Sequence, residues 1–174
     1  SSDVCSSDLY IVVSNTFYTL PFVEDFEDTI FPPADWLVEN PENDPVFWKA
    51  VSQTDSSYLC PEQDIFIFDK NGNPTKAAEI PLTPIGSKDA LITPLINSTN
   101  IKNAVLLFDV AYRNFEFYLC HNNNICDTLK VYYSLDCGII WNEIYKKGGC
   151  DLIVGSVCNQ ACKITPKGAC DWRT

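Results

Sequence analysis

An all-β fold, a sandwich of two sheets, is what this sequence predicts, and three observations carry the prediction. Apolar residues recur with period two, and no stretch keeps the 3.6-residue period of a helix. Clusters of Pro, Gly and Asn punctuate the chain at short intervals, as turns between strands do. In 104–112, Ala104, Leu106, Phe108, Val110 and Tyr112 share one face while Val105, Leu107, Asp109 and Ala111 share the other. Both faces are mostly apolar, the pattern of a central strand covered on two sides.

Taken in order, the first strand is expected over 22–27, with Phe22, Glu24 and Phe26 on one face and Val23, Asp25 and Glu27 on the other. Phe31-Pro32-Pro33 separates it from a strand over 35–39, and the loop Asn40-Pro41-Glu42-Asn43-Asp44-Pro45 leads to one over 47–52. Further strands are expected over 64–69, 90–96, 104–113, 128–134, 139–145 and, briefly, 152–154. Lys70-Asn71-Gly72-Asn73-Pro74 reads as a plain turn; its Asp69 start copies a calcium loop but lacks the closing glutamate of an EF-hand. Asn97-Ser98-Thr99 is a glycosylation sequon, meaningful only in a eukaryotic secretory pathway.

The most informative stretch is 127–141. Leu129, Val131 and Tyr133 alternate with Thr128, Lys130 and Tyr132, then Ser134, Asp136 and Gly138 break the alternation and Trp141 restarts it. Asp136 is suited to accept backbone N–H groups across the turn, Gly138 to supply positive φ, and Trp141 to anchor the return strand. This Ser-x-Asp-x-Gly-x-x-Trp spacing resembles the Asp-box hairpin of sialidases and of many non-catalytic secreted β-domains; it marks a fold and no reaction.

With 174 residues, 46% hydrophobic and 13% aromatic, the chain suffices for one domain with a real core and not for two. A net charge of -11 with only 12 Lys plus Arg repels a phosphate backbone, so no nucleic-acid partner is expected. Surplus carboxylates suit a hard cation such as calcium, or simply keep an acidic surface soluble. There is no run of apolar residues long enough for a membrane span. Residues 1–9 resemble the translation of a sequencing adapter, 10–18 read as the end of a preceding domain or a linker, and the main domain opens at Thr19.

Setting Cys5 aside with that adapter-like piece leaves Cys60, Cys120, Cys126, Cys137, Cys150, Cys158, Cys162 and Cys170. An even set without a Cys-x-x-Cys pair favours disulfides in an oxidising compartment over a zinc cage. Cys120 and Cys126 flank a polar loop and are natural partners; the other connectivities stay open. His121, beside Cys120, is the sole histidine and has no nucleophile arrangement around it, so no catalytic residue is assigned.

Several segments also fall in a telling order. They are Leu20-Pro21-Phe22-Val23-Glu24-Asp25-Phe26-Glu27, Phe31-Pro32-Pro33-Ala34-Asp35-Trp36, the acidic loop 40–48 closed by Trp48, and Asp89-Ala90-Leu91-Ile92-Thr93-Pro94. After them come Leu107-Phe108-Asp109-Val110-Ala111-Tyr112, the 127–141 hairpin and Asp171-Trp172-Arg173-Thr174. Together they resemble the cleaved-adhesin or choice-of-anchor J domains, MAM-like jelly rolls of secreted bacterial proteins including gingipain-type proteases. The chain departs from that pattern in a long 53–88 connection and a cysteine-rich 150–170.

The resemblance implies a jelly-roll β-sandwich of two antiparallel sheets over 19–174, truncated at its C-terminus because further strands follow Trp-Arg-Thr in the family. It also implies a calcium ion near the first strand with Glu27 as ligand and Asp25, Asp44 and Asp89 as further candidates. The residues agree to this extent: Asp25 and Glu27, two apart on a strand, lie roughly 7 Å from one another and suit a shared calcium. The plain alternative is a solvated acidic edge. The implied role is a non-catalytic adhesion or accessory module of a larger secreted or cell-surface protein, its partners host or matrix proteins or glycans and the other domains of the parent chain. A carbohydrate-binding module is the alternative, given tyrosines such as Tyr112, Tyr118, Tyr132 and Tyr133 that suit sugar stacking. A sandwich glycosidase ranks below both, because 24–28 lacks the Glu-x-Asp-x-x-Glu spacing of sandwich glucanases.

Overall fold

A computed structural model of the chain describes residues 16–53, 66–81, 88–112, 127–153 and 166–174. Eight strands form in these parts: β1 (Tyr18–Thr19), β2 (Leu37–Glu39), β3 (Lys49–Val51), β4 (Ala77–Glu79), β5 (Ala90–Ile92), β6 (Ile96–Asn97), β7 (Thr128–Tyr133) and β8 (Asn142–Gly148). Two 3-10 turns, Gly149–Asp151 and Ala169–Asp171, complete the regular structure. The fold is all-β, and no α-helix occurs among the described residues. None of their helices is long and apolar enough to cross a membrane.

The strands pair two by two: β2 with β5, β3 with β4 and β7 with β8 antiparallel, and β1 with β6 parallel. Tyr18 stands opposite Ile96, its N–H donates to Leu95 O at 2.9 Å, and its hydroxyl donates to Asp35 at 3.0 Å. Asp35 in return holds the Tyr18 phenol above its ordinary pKa, since the hydrogen bond to a carboxylate favours the neutral hydroxyl.

Several expected strands take other forms, the described part of 64–69 among them, which has only isolated bridges at Phe66 and Phe68. The segment 22–27 keeps its alternation, with Phe22, Glu24 and Phe26 half-buried and Val23, Asp25 and Glu27 exposed, but joins no ladder. Its backbone donors are spent locally: Phe26 N–H donates to Glu24 at 2.7 Å and Glu27 N–H to Asp25 at 3.1 Å, and Phe26 has φ of 58°. Such side-chain bonds two residues back compete with sheet formation. What holds the segment is aromatic packing, with Phe22 and Phe26 converging on Trp36 at ring separations of 6.2 and 5.6 Å. The 90–96 strand splits into β5 and β6 around Thr93-Pro94, where proline has no N–H to donate.

The segment 104–112 is the largest departure. Among the described residues its one β-bridge is at Val110, antiparallel with Arg173. Val105 and Leu107 on one face are 80% and 76% exposed and Leu106 on the other is 56% exposed, so neither face is covered as a central strand requires. Leu152 and Ile153, expected in a strand, instead follow the 3-10 turn Gly149–Asp151, where they are buried with Tyr112 in a core cluster against Val110 and Leu129. Ile67 is buried separately, its backbone bonded to Ser52 and Thr75.

The residues 166–174 tie these pieces together. Phe68 N–H donates to Pro166 O at 2.8 Å, and Trp172 Nε1 donates back to Phe68 O at 2.8 Å. The Arg173 guanidinium donates to Ile153 O at 2.8 Å and to Asp151 O, satisfying carbonyls at the end of the 3-10 turn.

Candidate functional site

The β7–β8 hairpin is the best-formed element and places the residues picked out by sequence. Six residue pairs join it, from Thr128 opposite Gly148 to Tyr133 opposite Asn142, with a bulge that leaves Ile144 as the extra residue. Glycine is required at 148 because a Cβ there would lie 2.7 Å from Thr128 Oγ1 and 2.9 Å from Asp127 O. Strand β8 runs over 142–148, later than the expected 139–145, because the turn consumes residues up to Trp141.

The turn is held by short local bonds. Ser134 Oγ donates to Asp136 Oδ1 at 2.7 Å, and Gly138 N–H donates to Ser134 Oγ at 2.8 Å. Ile140 N–H donates to Asp136 Oδ1 at 2.8 Å. These bonds, the Ile140 amide above all, hold the Asp136 carboxyl below its ordinary pKa. Gly138 has φ of 89°, and the Trp141 ring lies so close that an added Cβ would come within 3.3 Å of it. Cys137 also takes positive φ, 59°, and is disulfide-bonded.

The turn end carries an apolar and aromatic surface: Leu135, Ile139, Ile140, Trp141, Tyr132 and Tyr133 are all exposed. Tyr132 is fixed by donating its hydroxyl to Glu143 at 3.3 Å, and Glu143 also lies 3.7 Å from Lys130. At the other end of the hairpin, Tyr112 donates its hydroxyl to Asp127 at 3.0 Å. Burial outweighs that bond and pushes the Asp127 carboxyl above its ordinary pKa.

The carboxylates proposed for calcium are dispersed in separate turns. Glu27 Oε1 accepts from Thr75 Oγ1 at 2.5 Å and Lys76 N–H at 2.8 Å. The Lys76 ammonium donates to the carbonyls of Glu27 and Asp28 at 2.6 and 2.9 Å. Asp25 caps the Glu27 amide, and Asp44 accepts from Val46 N–H at 2.7 Å inside a loop closed by Asn40. Asp89 is reached through its carbonyl, which accepts from Trp48 Nε1 at 3.4 Å. No three His, Cys, Asp or Glu side chains are grouped to hold a metal among the described residues. The oxygens around Glu27 have the hard-donor chemistry calcium takes, yet an ammonium already bridges two of them. Thr75 and Lys76 were not foreseen as partners of Glu27; they lie 48 and 49 residues away, and no local spacing announces them.

Among the cysteines, Cys170 departs from the expected set of bridges: it is a free, exposed thiol in the 3-10 turn Ala169–Asp171, which buries no residue. Cys60, Cys120, Cys126, Cys158 and Cys162, the Cys150 side chain and His121 lie outside the described residues. The Asp69 turn is a self-contained cap, with Asp69 accepting the amides of Asn71 and Asn73 at 2.8 Å each. Those bonds hold its carboxyl below the ordinary range.

No protein-family model, curated protein or solved structure matches the chain.

Proposed function

We propose that the chain is a non-catalytic adhesion or accessory binding module of a larger secreted or cell-surface protein, with the jelly-roll architecture of cleaved-adhesin domains. The observation that carries this reading is the exposed turn end of the β7–β8 hairpin. A turn held by Ser134, Asp136 and Gly138 presents Leu135, Ile139, Ile140 and Trp141 to solvent together with Tyr132 and Tyr133. Exposed apolar side chains on a hydrogen-bonded turn are the kind of surface that binds another protein. Its aliphatic content favours a protein partner, a host or matrix protein, over a sugar, which stacks on flat rings and needs hydrogen bonds besides.

Carbohydrate binding is the second reading, favoured by the exposed rings of Tyr132, Tyr133 and Trp141. The glycosidase reading is weakened because Glu24, Asp25 and Glu27 are each engaged by amides of their own or a nearby turn. Calcium at Glu27 belongs to the proposal: the Glu27 carboxylate and the carbonyls of Glu27 and Asp28 are the oxygens that would hold it, with Lys76 displaced. Its contribution would be structural, fixing the first segment against Thr75 and Lys76.

Binding to arrayed matrix proteins and glycans, read for the parent chain and for Ile139→Ser with Ile140→Ser, tests the reading. Protein binding lost in the double variant supports it. Glycan binding lost instead on Trp141→Ala would replace it with the carbohydrate reading.

A further inference from the structure

Asn71-Gly72 is the sole Asn-Gly pair of the chain, and both residues are exposed. Such a pair carries its own chemistry. The Gly72 nitrogen is a nucleophile for Asn71 Cγ, because glycine has no side chain to shield its amide or to restrict the backbone rotation that brings the two atoms together. A bond forms between that nitrogen and Cγ while the Cγ–Nδ2 bond breaks. The Gly72 amide proton leaves with Nδ2 as ammonia, and a five-membered succinimide remains. Water then opens the ring at either carbonyl, giving aspartate or isoaspartate at position 71. Nothing is oxidised or reduced, and water is the one co-reactant.

The attack needs the Gly72 N–H to give up its proton and the Asn71 amide to swing onto the Gly72 nitrogen. Asp69 opposes both. Gly72 N–H donates to Asp69 O at 3.1 Å. Asn71 N–H donates to Asp69 Oδ1 at 2.8 Å, and Asn71 Nδ2 donates to Oδ2 at 3.4 Å. The same carboxylate takes the Asn73 N–H at 2.8 Å and Asn73 Nδ2 at 3.2 Å, so residues on both sides of Gly72 are tied to one side chain. Its charge also opposes the negative charge that develops on the Gly72 nitrogen as the proton leaves.

We propose that Asn71 is a deamidation site which Asp69 holds closed, and that the reaction proceeds when the turn opens. The product keeps the turn open. A carboxylate at position 71 would stand beside the Asp69 carboxylate, where Asn71 Nδ2 now donates, and the two like charges repel. The turn also closes the loop whose return stretch is bridged at Phe68 and Pro74 and bonded from Thr75 N–H to Ile67 O at 3.0 Å. That stretch offers Thr75 and Lys76 to Glu27, so modification at an exposed residue loosens the ties of the first segment. The site is separate from the hairpin turn end, and each stands or falls without the other.

The test incubates the full chain at neutral pH and follows position 71 by peptide mapping and mass spectrometry, counting aspartate and isoaspartate together. A synthetic peptide covering 66–76 is the open reference. The chain is expected to convert about tenfold or more slowly than the peptide, the factor by which local structure keeps the turn closed. Asp69→Ala should convert faster than the parent chain, and Asp69→Asn, which keeps an oxygen for the Asn71 and Asn73 amides, should fall between the two. Thermal melts show whether each variant is folded, and if Asp69→Ala is not, the ratio of chain to peptide decides. Equal rates in chain and peptide overturn the proposal, as does an unchanged rate in folded Asp69→Ala. Asn71→Asp writes in one product directly and should speed exchange of the Asn73 and Thr75 amides; unchanged exchange there overturns the link to the first segment.

Discussion

The β7–β8 hairpin and the segment 104–110 are both rich in alternating apolar residues, yet among the described residues one is a six-pair ladder and the other has a single β-bridge. What separates them is the local chemistry of closure. Ser134, Asp136 and Gly138 satisfy backbone groups within the turn and bring β8 back onto β7. The 104–110 segment carries no such device and depends wholly on a partner distant in sequence. Alternation says that a segment is fit to be a strand, while pairing requires something to pair with.

The comparison is broken most sharply by truncating a buried residue at the hairpin root and an exposed one on the edge. Leu152→Ala should cost about 2–5 kcal/mol, since Leu152 is buried with Tyr112 and Ile153. Leu107→Ala should change stability by less than about 0.5 kcal/mol, as is usual for an exposed side chain. Denaturant unfolding of the two variants reads the difference, and a large cost at Leu107 would mean that 104–110 is covered after all.

Next in size is Gly148→Ala. Its Cβ would meet the backbone oxygen of Asp127, which cannot turn aside as a side chain can, so a loss of about 1–3 kcal/mol is expected in the same assay. Gly138→Ala should cost less, about 1 kcal/mol, from positive φ and the nearby Trp141 ring.

The turn was legible in the sequence because its bonds span at most four residues, so spacing alone specifies them. The all-β class was legible for a similar reason, since period two is a local property. The strand over 22–27 was misread although its burial alternates as expected. Glu24 and Asp25 take amides that a ladder would have used, and alternation does not reveal that competition. Glu27 was identified as a site residue, but its bonds to Thr75 and Lys76 cross 48 and 49 residues and leave no local trace. Strand β4 was missed in the same long connection, where Ala77 and Ala78 give a weak β signal.

The smallest expected effects are in the pH dependence, where the two ends of the hairpin oppose one another. Asp136 has a depressed pKa in the fold, so its stabilisation is present above the ordinary aspartate value and is lost as pH falls through the folded value. Asp127 has a raised one, so the fold binds its proton more tightly than the unfolded chain does. Stability therefore declines as pH rises from the ordinary value through the folded one. In melts across the acidic range, Asp136→Asn should flatten the loss on acidification, and Asp127→Asn should remove the decline on the alkaline side of that window. The same slope in both variants would detach these carboxylates from the account.

The most direct test of the contrast is amide hydrogen exchange on the unmodified chain without added ligand, resolved by residue. Slow exchange at the paired amides of β7 and β8 with near-unprotected rates at 104–108 is the predicted result. Protection at 104–108 comparable with the hairpin would contradict it, because the segment would then be a paired strand.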